Sequence, residues 1–214
     1  MHKLYGRERE FDALKKYAEL HKNVLIKGRR GIGKTHIVRA LIEDLKSNRN
    51  IKAIYINCEK ITTPSTLLSE AGFRTEPSLS PDDVLNELFR NARESGVEII
   101  ALDEFVFLVR DFAKRKPYRN AERVIAHLRG LISEFPGATI FTASSLWKLY
   151  KLIRGYERRL ARMFDVVIKL DALTLEDSAK IAYDITGDPE SSSIIAEPGD
   201  GVPFYVESIA LTSL

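Results

Sequence analysis

An eight-residue segment from Gly28 to Thr35 has the residue types and the spacing that phosphate binding requires. Its sequence, GRRGIGKT, matches the pattern G-x-x-x-x-G-K-[ST] at each fixed position. Glycine lets the backbone curl so that successive N–H groups point inward at phosphate oxygens, where a Cβ would intrude. The lysine of such a loop reaches the β and γ phosphates, and the hydroxyl that follows it ligates magnesium. We therefore predict a nucleoside triphosphate site in which Lys34 contacts phosphate and Thr35 contacts the metal.

The segment lies between a short apolar strand, predicted over residues 23–26, and a helix that opens near Lys34. The N-terminus of a helix adds unpaired N–H groups and the positive end of its dipole to such a loop. His36 follows in the same helix, and its position places it among the candidate nucleotide contacts. The alternative is that its side chain packs against the protein or is solvated. The residues predicted to contact the nucleotide in this part of the chain are Gly28, Arg29, Arg30, Gly31, Ile32, Gly33, Lys34, Thr35 and His36.

Two carboxylates, Asp103 and Glu104, follow a strand predicted over residues 97–102. In an open α/β sheet, ligands bind at the carboxyl ends of the strands, so these acids face the phosphate loop if the two strands are near neighbours. Asp103 is then expected to hold magnesium, mainly through the water shell of the ion. Glu104 is expected to orient or deprotonate the water that attacks the γ phosphate. The alternative is a pair of solvated acids that cap the next helix.

Strands alternate with helices along the chain, which is the pattern of an open parallel sheet covered on both faces. The predicted strands cover residues 23–26, 51–58, 97–102, 138–142 and 165–170. From residue 174 onward the pattern is helical, with breaks around residues 187–192 and 199–201. We therefore expect an α/β nucleotide-binding core over residues 1–173 and a small helical lid over residues 174–214. Whether that lid is cut short stays open.

The composition limits the class of protein. The 214 residues are 44% hydrophobic, which is enough apolar surface for one substantial core. The net charge of +3 is too small to indicate nucleic-acid binding by itself. The single cysteine, Cys58, excludes an internal disulfide. No segment approaches the roughly 20 apolar residues of a membrane span, so we expect a soluble, cytoplasmic protein with no membrane partner.

Together these residues resemble the AAA+ ATPases, in particular the archaeal ATPase family related to origin-recognition proteins and signal-transduction NTPases. Residues 28–35 and Leu102-Asp103-Glu104-Phe105 are similar to the Walker A and Walker B motifs of that family. Tyr5-Gly6-Arg7-Glu8-Arg9-Glu10 is similar to its GRE-x-E box, a segment that packs against the adenine, and Gly201-Val202-Pro203 to its Gly-x-Pro signature at the start of a lid helix. The resemblance implies an ATP or ADP site that includes Tyr5, Gly6, Arg7 and Pro203.

The resemblance also implies a P-loop NTPase fold, a three-layer αβα sandwich with a five-stranded parallel sheet. Thr142-Ala143-Ser144-Ser145 resembles the sensor-1 segment of the family, in which a polar side chain touches the γ phosphate or the attacking water. Ser144 is the residue expected to do so, with Ser145 and Thr142 as alternates.

An arginine finger is implied just before the fifth strand. The candidates are Arg158, Arg159 and Arg162, of which Arg162 is favoured. Surface arginines on a helix are the alternative. An arginine finger that acts on a neighbouring chain would require a homo-oligomer.

The sequence thus predicts magnesium-dependent ATP hydrolysis coupled to a conformational change in an unidentified partner. The predicted catalytic residues are Lys34, Glu104, Ser144 and Arg162. One alternative is a slow nucleotide-dependent signalling switch, and another is a DNA-associated ATPase like the origin-recognition proteins. Those proteins carry a C-terminal winged-helix domain, for which this sequence has no room after its Gly-x-Pro segment. DNA would then bind the basic cluster Arg110, Lys114, Arg115, Lys116 and Arg119, for which a solvated loop is the alternative.

Overall fold

A five-stranded, all-parallel sheet forms the centre of the molecule in the computed structural model, which describes residues 3–75, 79–116, 120–146, 150–151 and 160–213. The strands are β1 (Val24–Lys27), β2 (Ala53–Asn57), β3 (Ile99–Asp103), β4 (Ala138–Ala143) and β5 (Val166–Lys169). Their order across the sheet is β2-β3-β4-β1-β5. The prediction of a five-stranded parallel sheet is therefore confirmed.

Burial of the strands follows their position in this order. The central strands β3 and β4 are buried at each residue, as expected for strands covered on both faces. The edge strand β5 exposes Val167 and Lys169 and buries Ile168. A charged residue on an exposed edge strand disfavours pairing with another chain.

Helices cover both faces of the sheet. They are α1 (Glu8–Glu19), α2 (Lys34–Arg49), α3 (Pro64–Glu70), α4 (Pro81–Glu94), α5 (Phe105–Phe112) and α6 (Ala121–Glu134), with a 3-10 turn at Cys58–Lys60. One apolar cluster, which includes Leu102 and Phe89, joins the sheet to α3–α6. A second cluster, which includes Ile26 and Leu41, joins the opposite face to α1 and α2. The sheet is thus the middle of three layers.

Three further helices follow β5, namely α7 (Leu175–Thr186), α8 (Pro189–Ala196) and α9 (Pro203–Thr212). They have a small apolar cluster of their own, formed by Leu173, Ile181, Ala182, Ile195, Val206 and Ala210. The predicted break over residues 187–192 is wrong in its extent, because α8 already begins at Pro189. Gly187 ends α7 in the left-handed conformation, and the Asp188 side chain accepts a hydrogen bond from the Ser191 N–H.

A helix that crosses a bilayer needs about 20 consecutive, mostly apolar residues. Within the described residues, no helix combines the length and the apolar character that crossing a membrane demands.

Candidate functional site

The loop between β1 and α2 is shaped by its glycines. Gly31 and Gly33 have φ angles of +79° and +99°, which residues with a side chain rarely adopt. Gly33 precedes the first residue of α2 and has no side chain that could cap the helix. The first N–H groups of α2 therefore face the loop without a capping side chain, which is the arrangement that binds anions.

Lys34 is buried at the start of α2, with 4% of its surface exposed. Its Nζ lies 3.2 Å from the carbonyl oxygen of Gly28 and 3.1 Å from that of Arg29. It also donates to Ser144 Oγ at 2.7 Å and lies 3.2 Å from Glu104 Oε1. The ammonium group is thus held inside the loop by two carbonyls, a hydroxyl and a carboxylate.

Asp103 ends β3 and is 2% exposed. Three hydroxyl groups donate to its carboxylate. Thr35 Oγ1 and the Tyr55 hydroxyl reach Oδ2 at 2.7 and 2.6 Å, and Thr142 Oγ1 reaches Oδ1. Burial and the neighbouring Asp103 carboxylate raise the pKa of Tyr55, so its phenol stays protonated as a donor.

Glu104 adopts a left-handed backbone conformation, with φ of +52°, at the start of α5. This turn directs its side chain to the end of β4, where both the backbone N–H and the hydroxyl of Ser144 donate to the carboxylate. The backbone N–H of Glu104 donates to Thr142 Oγ1 at 2.8 Å. A non-glycine residue in this conformation is strained and is typical of functional positions.

The order of the strands explains how these groups meet. The sequence argument required β1 and β3 to be near neighbours, and β4 lies between them. The carboxyl end of β4 supplies Thr142 and Ser144, and these two side chains connect Asp103 and Glu104 to Lys34. The phosphate loop and the two acids therefore share one edge of the sheet.

A magnesium ion would find oxygen donors at this edge. Among the described residues, no group of three or more His, Cys, Asp and Glu side chains is arranged to hold a metal ion. The Thr35 hydroxyl and the Asp103 carboxylate, 2.7 Å apart, are the kind of oxygen ligands that magnesium accepts alongside water and phosphate. The site therefore suits a metal that arrives with a phosphate ligand.

A cavity of about 780 Å³ extends from this edge to the helices after β5. At one end, which we call the phosphate end, it is lined by Lys34, Thr35, Asp103, Glu104 and Ser144. At the other end, which we call the lid end, the apolar lining includes Leu4, Tyr5, Ile181, Ile185, Pro203 and Phe204. An elongated ligand with a charged end and a flat apolar end matches this division.

The N-terminal segment closes one side of the lid end. Lys3 Nζ and the Tyr5 hydroxyl both donate to the Asp184 carboxylate on α7. These two contacts hold the pKa of Asp184 below its usual range. Gly6 passes so close to α7 that a Cβ at this position would lie 2.2 Å from Asp177 Oδ2.

Arg7 is buried beside this segment and connects it to the loop. Its guanidinium donates to the carbonyl oxygens of Ile32 and Asp171 and to Glu10 Oε1. The N-terminal segment, the phosphate loop and the chain after β5 are therefore joined by one side chain.

The chain after β5 also touches the phosphate loop directly. The backbone N–H of Phe204 donates to the carbonyl oxygen of Gly31 at 3.3 Å. The Arg29 guanidinium pairs with Asp200 at 3.1 Å. A Cβ at Gly31 would lie 2.8 Å from the Cβ of Phe204, so the glycine permits this close approach.

Most of the predicted site residues meet at this cavity. Those that line it are Tyr5, Arg7, Arg30, Gly31, Ile32, Gly33, Lys34, Thr35, His36, Asp103, Glu104, Ser144 and Pro203. Gly6, Gly28 and Arg29 do not line it, and the Arg29 side chain is directed to Asp200 instead. His36 Nε2 lies 2.9 Å from the carbonyl oxygen of Lys3, at the rim.

The predicted arginine finger is not brought to the cavity. Arg162 is exposed and does not line it, and Arg158 and Arg159 lie outside the described residues. In the basic cluster, Arg110 lies 4.6 Å above the ring of Phe107, and Arg115 pairs with Asp111 and donates to the carbonyl of Thr62. Lys114 and Lys116 are exposed, and Arg119 lies outside the described residues.

Sequence reasoning missed Tyr55 and Asp184. Tyr55 belongs to a predicted strand, and only the register of β2 against β3 brings its hydroxyl to Asp103. Asp184 is an ordinary acid of an amphipathic helix, and only the packing of that helix on the N-terminal segment gives it partners.

Comparison with protein families gives one match along most of the chain. The profile of a family described as the AAA ATPase domain matches residues 3–177. A search of curated proteins found no match.

Several solved structures have the same fold. The ORC2 protein of Aeropyrum pernix, solved in complexes with ADPNP and ADP, matches 99% of this chain with a TM-score of 0.73 at 18% sequence identity. The Walker-type ATPase of Pyrococcus abyssi matches 97% of it with a TM-score of 0.66 at 19% identity. Domain III of the replication initiation protein DnaA from Thermotoga maritima matches 97% with a TM-score of 0.65 at 18% identity. The chain covers 62%, 67% and 82% of these three structures, respectively.

Proposed function

This chain belongs to the AAA ATPase domain family, and on that premise we propose that it binds ATP with magnesium and hydrolyses it in the cavity between the phosphate loop and the lid. The observation that carries the proposal is the meeting of Lys34, Asp103, Glu104 and Ser144 at one edge of the sheet. Lys34 begins α2, Asp103 and Glu104 stand at the end of β3, and Ser144 follows β4. Lys34 and Ser144 both contact Glu104, and Asp103 contacts Thr35 of the phosphate loop. The triphosphate occupies the phosphate end, and the base occupies the lid end.

Phosphate binding falls to the loop amides and Lys34. The buried ammonium is already directed into the loop, where two carbonyl oxygens hold it. A bound triphosphate would offer Lys34 acceptors that carry more negative charge than those two carbonyl oxygens. The N-terminus of α2 adds its N–H groups to the same anion.

Thr35 and Asp103 would hold the magnesium ion, Thr35 through its hydroxyl and Asp103 through its carboxylate. When bound, magnesium neutralises charge that develops on the phosphate oxygens. The hydroxyl of Thr35 also donates to Asp103, which fixes the two groups relative to each other before any ligand arrives.

Glu104 is the group that we assign to the attacking water. Its carboxylate is held by Ser144 and lies 3.2 Å from Lys34 Nζ. An incoming γ phosphate competes for Lys34 and for the Ser144 hydroxyl, so its arrival loosens two of the three contacts on Glu104 and leaves the one from the Ser144 backbone N–H. Ser144 thereby connects the presence of the γ phosphate to the position of the general base.

The first test replaces Glu104 by Gln, which keeps the shape of the side chain and removes its basicity. Hydrolysis of ATP should fall about 10²–10⁴-fold, whereas the affinity for ATP should stay within a few-fold. Glu98→Gln is the matched control, because Glu98 immediately precedes β3, at the end far from Glu104, and its side chain is exposed. Wild-type turnover in Glu104→Gln would show that Glu104 is not the base.

A nucleotide-dependent switch is the second candidate, and the contacts between lid and loop favour it. Phe204 and Asp200 contact the loop residues Gly31 and Arg29 directly, so a change at the phosphates reaches the lid through two contacts. Two measurements separate the two functions. One is the steady-state ATP turnover per chain, and the other is the distance between lid and core with ATP, with ADP and without nucleotide. Very slow turnover with a distance that differs between ATP and ADP would identify a switch.

The arginine finger and the partner belong to the same proposal. Arg162 is exposed and outside the cavity of its own chain, so it can act only on a neighbouring copy. Sizing the protein with ADP and with a non-hydrolysable ATP analogue tests this. If the analogue produces no assembly, Arg162 has no site to act on.

A further inference from the structure

We propose that Tyr55 is a positioning residue for the magnesium site: its hydroxyl fixes the Asp103 carboxylate so that the metal-bound nucleotide is held in one orientation. This inference rests on the proposed ATP and magnesium site. It adds a residue from β2, a strand that carries none of the motifs identified in the sequence, and it assigns a measurable consequence to that residue.

The register of the sheet places Tyr55 beside Asp103. In the β2–β3 pair, Tyr55 lies opposite Ala101 and Asn57 lies opposite Asp103, so Tyr55 and Asp103 are diagonal neighbours on one face. Aromatic side chains reach across such a diagonal. The Tyr55 hydroxyl donates to Asp103 Oδ2 at 2.6 Å, and the ring packs on the α2 side of the sheet, where the Arg39 guanidinium lies 4.8 Å above it.

Within the described part of the chain, the side chains that donate hydrogen bonds to the Asp103 carboxylate are all hydroxyls. It is 2% exposed, and no Lys, Arg or His of the described residues forms an ion pair with it. A buried carboxylate without a cation needs hydrogen bonds to replace those it would make to water. Thr35, Tyr55 and Thr142 supply them, and they occupy about three of its roughly four acceptor directions.

The distribution of these donors determines which direction stays open. Oδ2 accepts from both Thr35 and Tyr55, whereas Oδ1 accepts from Thr142. The remaining acceptor direction is therefore on Oδ1. A carboxylate held in this way offers one defined direction to a water molecule of the metal shell, in keeping with the preference of magnesium for retaining its water.

Loss of the Tyr55 hydroxyl should weaken the response to magnesium and leave the affinity for the phosphate groups unchanged. Without it, Oδ2 keeps only Thr35, and the carboxylate can rotate toward the cavity. The hydrogen bonds of Lys34 go to the carbonyls of Gly28 and Arg29 and to Ser144, and not to Tyr55, so we expect its hold on a nucleotide to stay unchanged. Removal of this one hydroxyl group therefore separates the magnesium dependence of binding from the nucleotide affinity measured without magnesium.

The experiment compares the wild type with Tyr55→Phe, which keeps the ring and its contact with Arg39. The dissociation constant for ADP is measured in EDTA and at increasing MgCl₂, and ATP hydrolysis is measured over the same series. In EDTA the two proteins should bind ADP within about twofold of each other. MgCl₂ changes the ADP dissociation constant, and we compare the concentration that produces half of this change. In Tyr55→Phe this concentration should rise about tenfold, as expected for a lost hydrogen bond to a charged group. Excess MgCl₂ should restore wild-type affinity and turnover.

Tyr183→Phe is the matched control, because it removes a phenol hydroxyl from a half-exposed side chain on the lid. It should leave the magnesium dependence unchanged. The midpoint of thermal denaturation in EDTA, compared between Tyr55→Phe and wild type, reports any purely structural effect of the substitution. A lower midpoint with an unchanged response to MgCl₂ would overturn the proposal.

The outcomes separate this inference from the proposed function. If MgCl₂ strengthens nucleotide binding by the wild type and Tyr55→Phe responds identically, the inference about Tyr55 is wrong and the ATP site stands. If the wild type binds no nucleotide, or if MgCl₂ has no effect on binding, the proposed function fails and the inference fails with it.

Discussion

The two ends of the cavity are built in different ways. At the phosphate end, the functional side chains are buried and linked to one another, since Lys34 and Asp103 are 4% and 2% exposed and Glu104 is held by Ser144. At the lid end, the ion pairs to the helices after β5 are made by exposed side chains. They are the pair of Lys3 with Asp184 and the pair of Arg29 with Asp200, and the last two side chains are 58% and 76% exposed.

This difference predicts that the two ends of the cavity have different functions. Buried, mutually hydrogen-bonded groups are preorganised, and removing one leaves its partners uncompensated. Exposed ion pairs are worth little each and are screened by salt. We therefore expect the phosphate end to supply affinity and chemistry with little rearrangement, and the lid end to open and close at small energetic cost.

The largest effect should come from Lys34→Ala at the phosphate end. The substitution removes the charge that faces the phosphates and leaves Glu104 without its nearby cation. ATP affinity should fall by about 10²-fold or more, on the order of two charge-assisted hydrogen bonds. Binding of ATP measured by calorimetry checks this, with Lys46→Ala, on an exposed side chain in the last turn of the same helix, as control. Unchanged affinity would contradict the division between the two ends.

An intermediate effect is expected at Gly31, where the two ends meet. Alanine at this position must adopt φ of +79°, which costs about 1–2 kcal/mol, and its Cβ would lie 2.8 Å from that of Phe204. We expect ATP affinity to fall about tenfold, because either the loop or the lid has to move.

Gly96→Ala separates the two causes. Gly96 has φ of +66°, and a Cβ there would meet no atom within 4 Å, so its substitution measures backbone strain alone. Thermal midpoints and ATP affinities of both variants should be compared. If Gly31→Ala behaves like Gly96→Ala in both measurements, the contact between loop and lid has no role in binding.

The sequence predicted the phosphate end better than the lid end, and the reason is physical. The phosphate loop is a local structure, since residues 28–35 contain the glycines, the lysine and the hydroxyl in one stretch. The carboxyl-end rule for parallel sheets then directs Asp103 and Glu104 to the same edge. These two steps need the alternation of strands and helices, and β1 and β3 near each other in the sheet, but they do not need the register.

The remaining features depend on tertiary placement. Tyr55 reaches Asp103 because β2 and β3 pair in one register, and Thr142 reaches it because β4 inserts between β3 and β1. The left-handed turn at Glu104 directs its side chain to Ser144. It could not be predicted from the sequence, because the residue is neither a glycine nor an asparagine. At the lid end, Asp184 acquires its partners only when α7 packs on the N-terminal segment.

The smallest effect is expected from Asp184→Asn at the lid end. The substitution weakens the contacts with Lys3 and Tyr5 that join the N-terminal segment to α7, and it leaves the phosphate end untouched. Dissociation of ADP, followed by stopped-flow displacement, should become about two- to fivefold faster, in keeping with the small worth of an exposed ion pair. ATP turnover should change only as far as ADP release limits it.

Salt provides the control for this last variant. Because the contact between Lys3 and Asp184 is exposed, raising the ionic strength should speed ADP release from the wild type and have less effect on Asp184→Asn, so that the two rates converge at high salt. Asp12→Asn, on α1 and outside the cavity, should keep the salt response of the wild type. If Asp184→Asn sped ADP release a hundredfold or abolished binding, the lid end would be as strongly organised as the phosphate end, and the contrast between them would be wrong. If it had no effect at any ionic strength, the N-terminal segment would not restrain the lid at all, and closure would depend on the contacts of Phe204 and Asp200 with the loop.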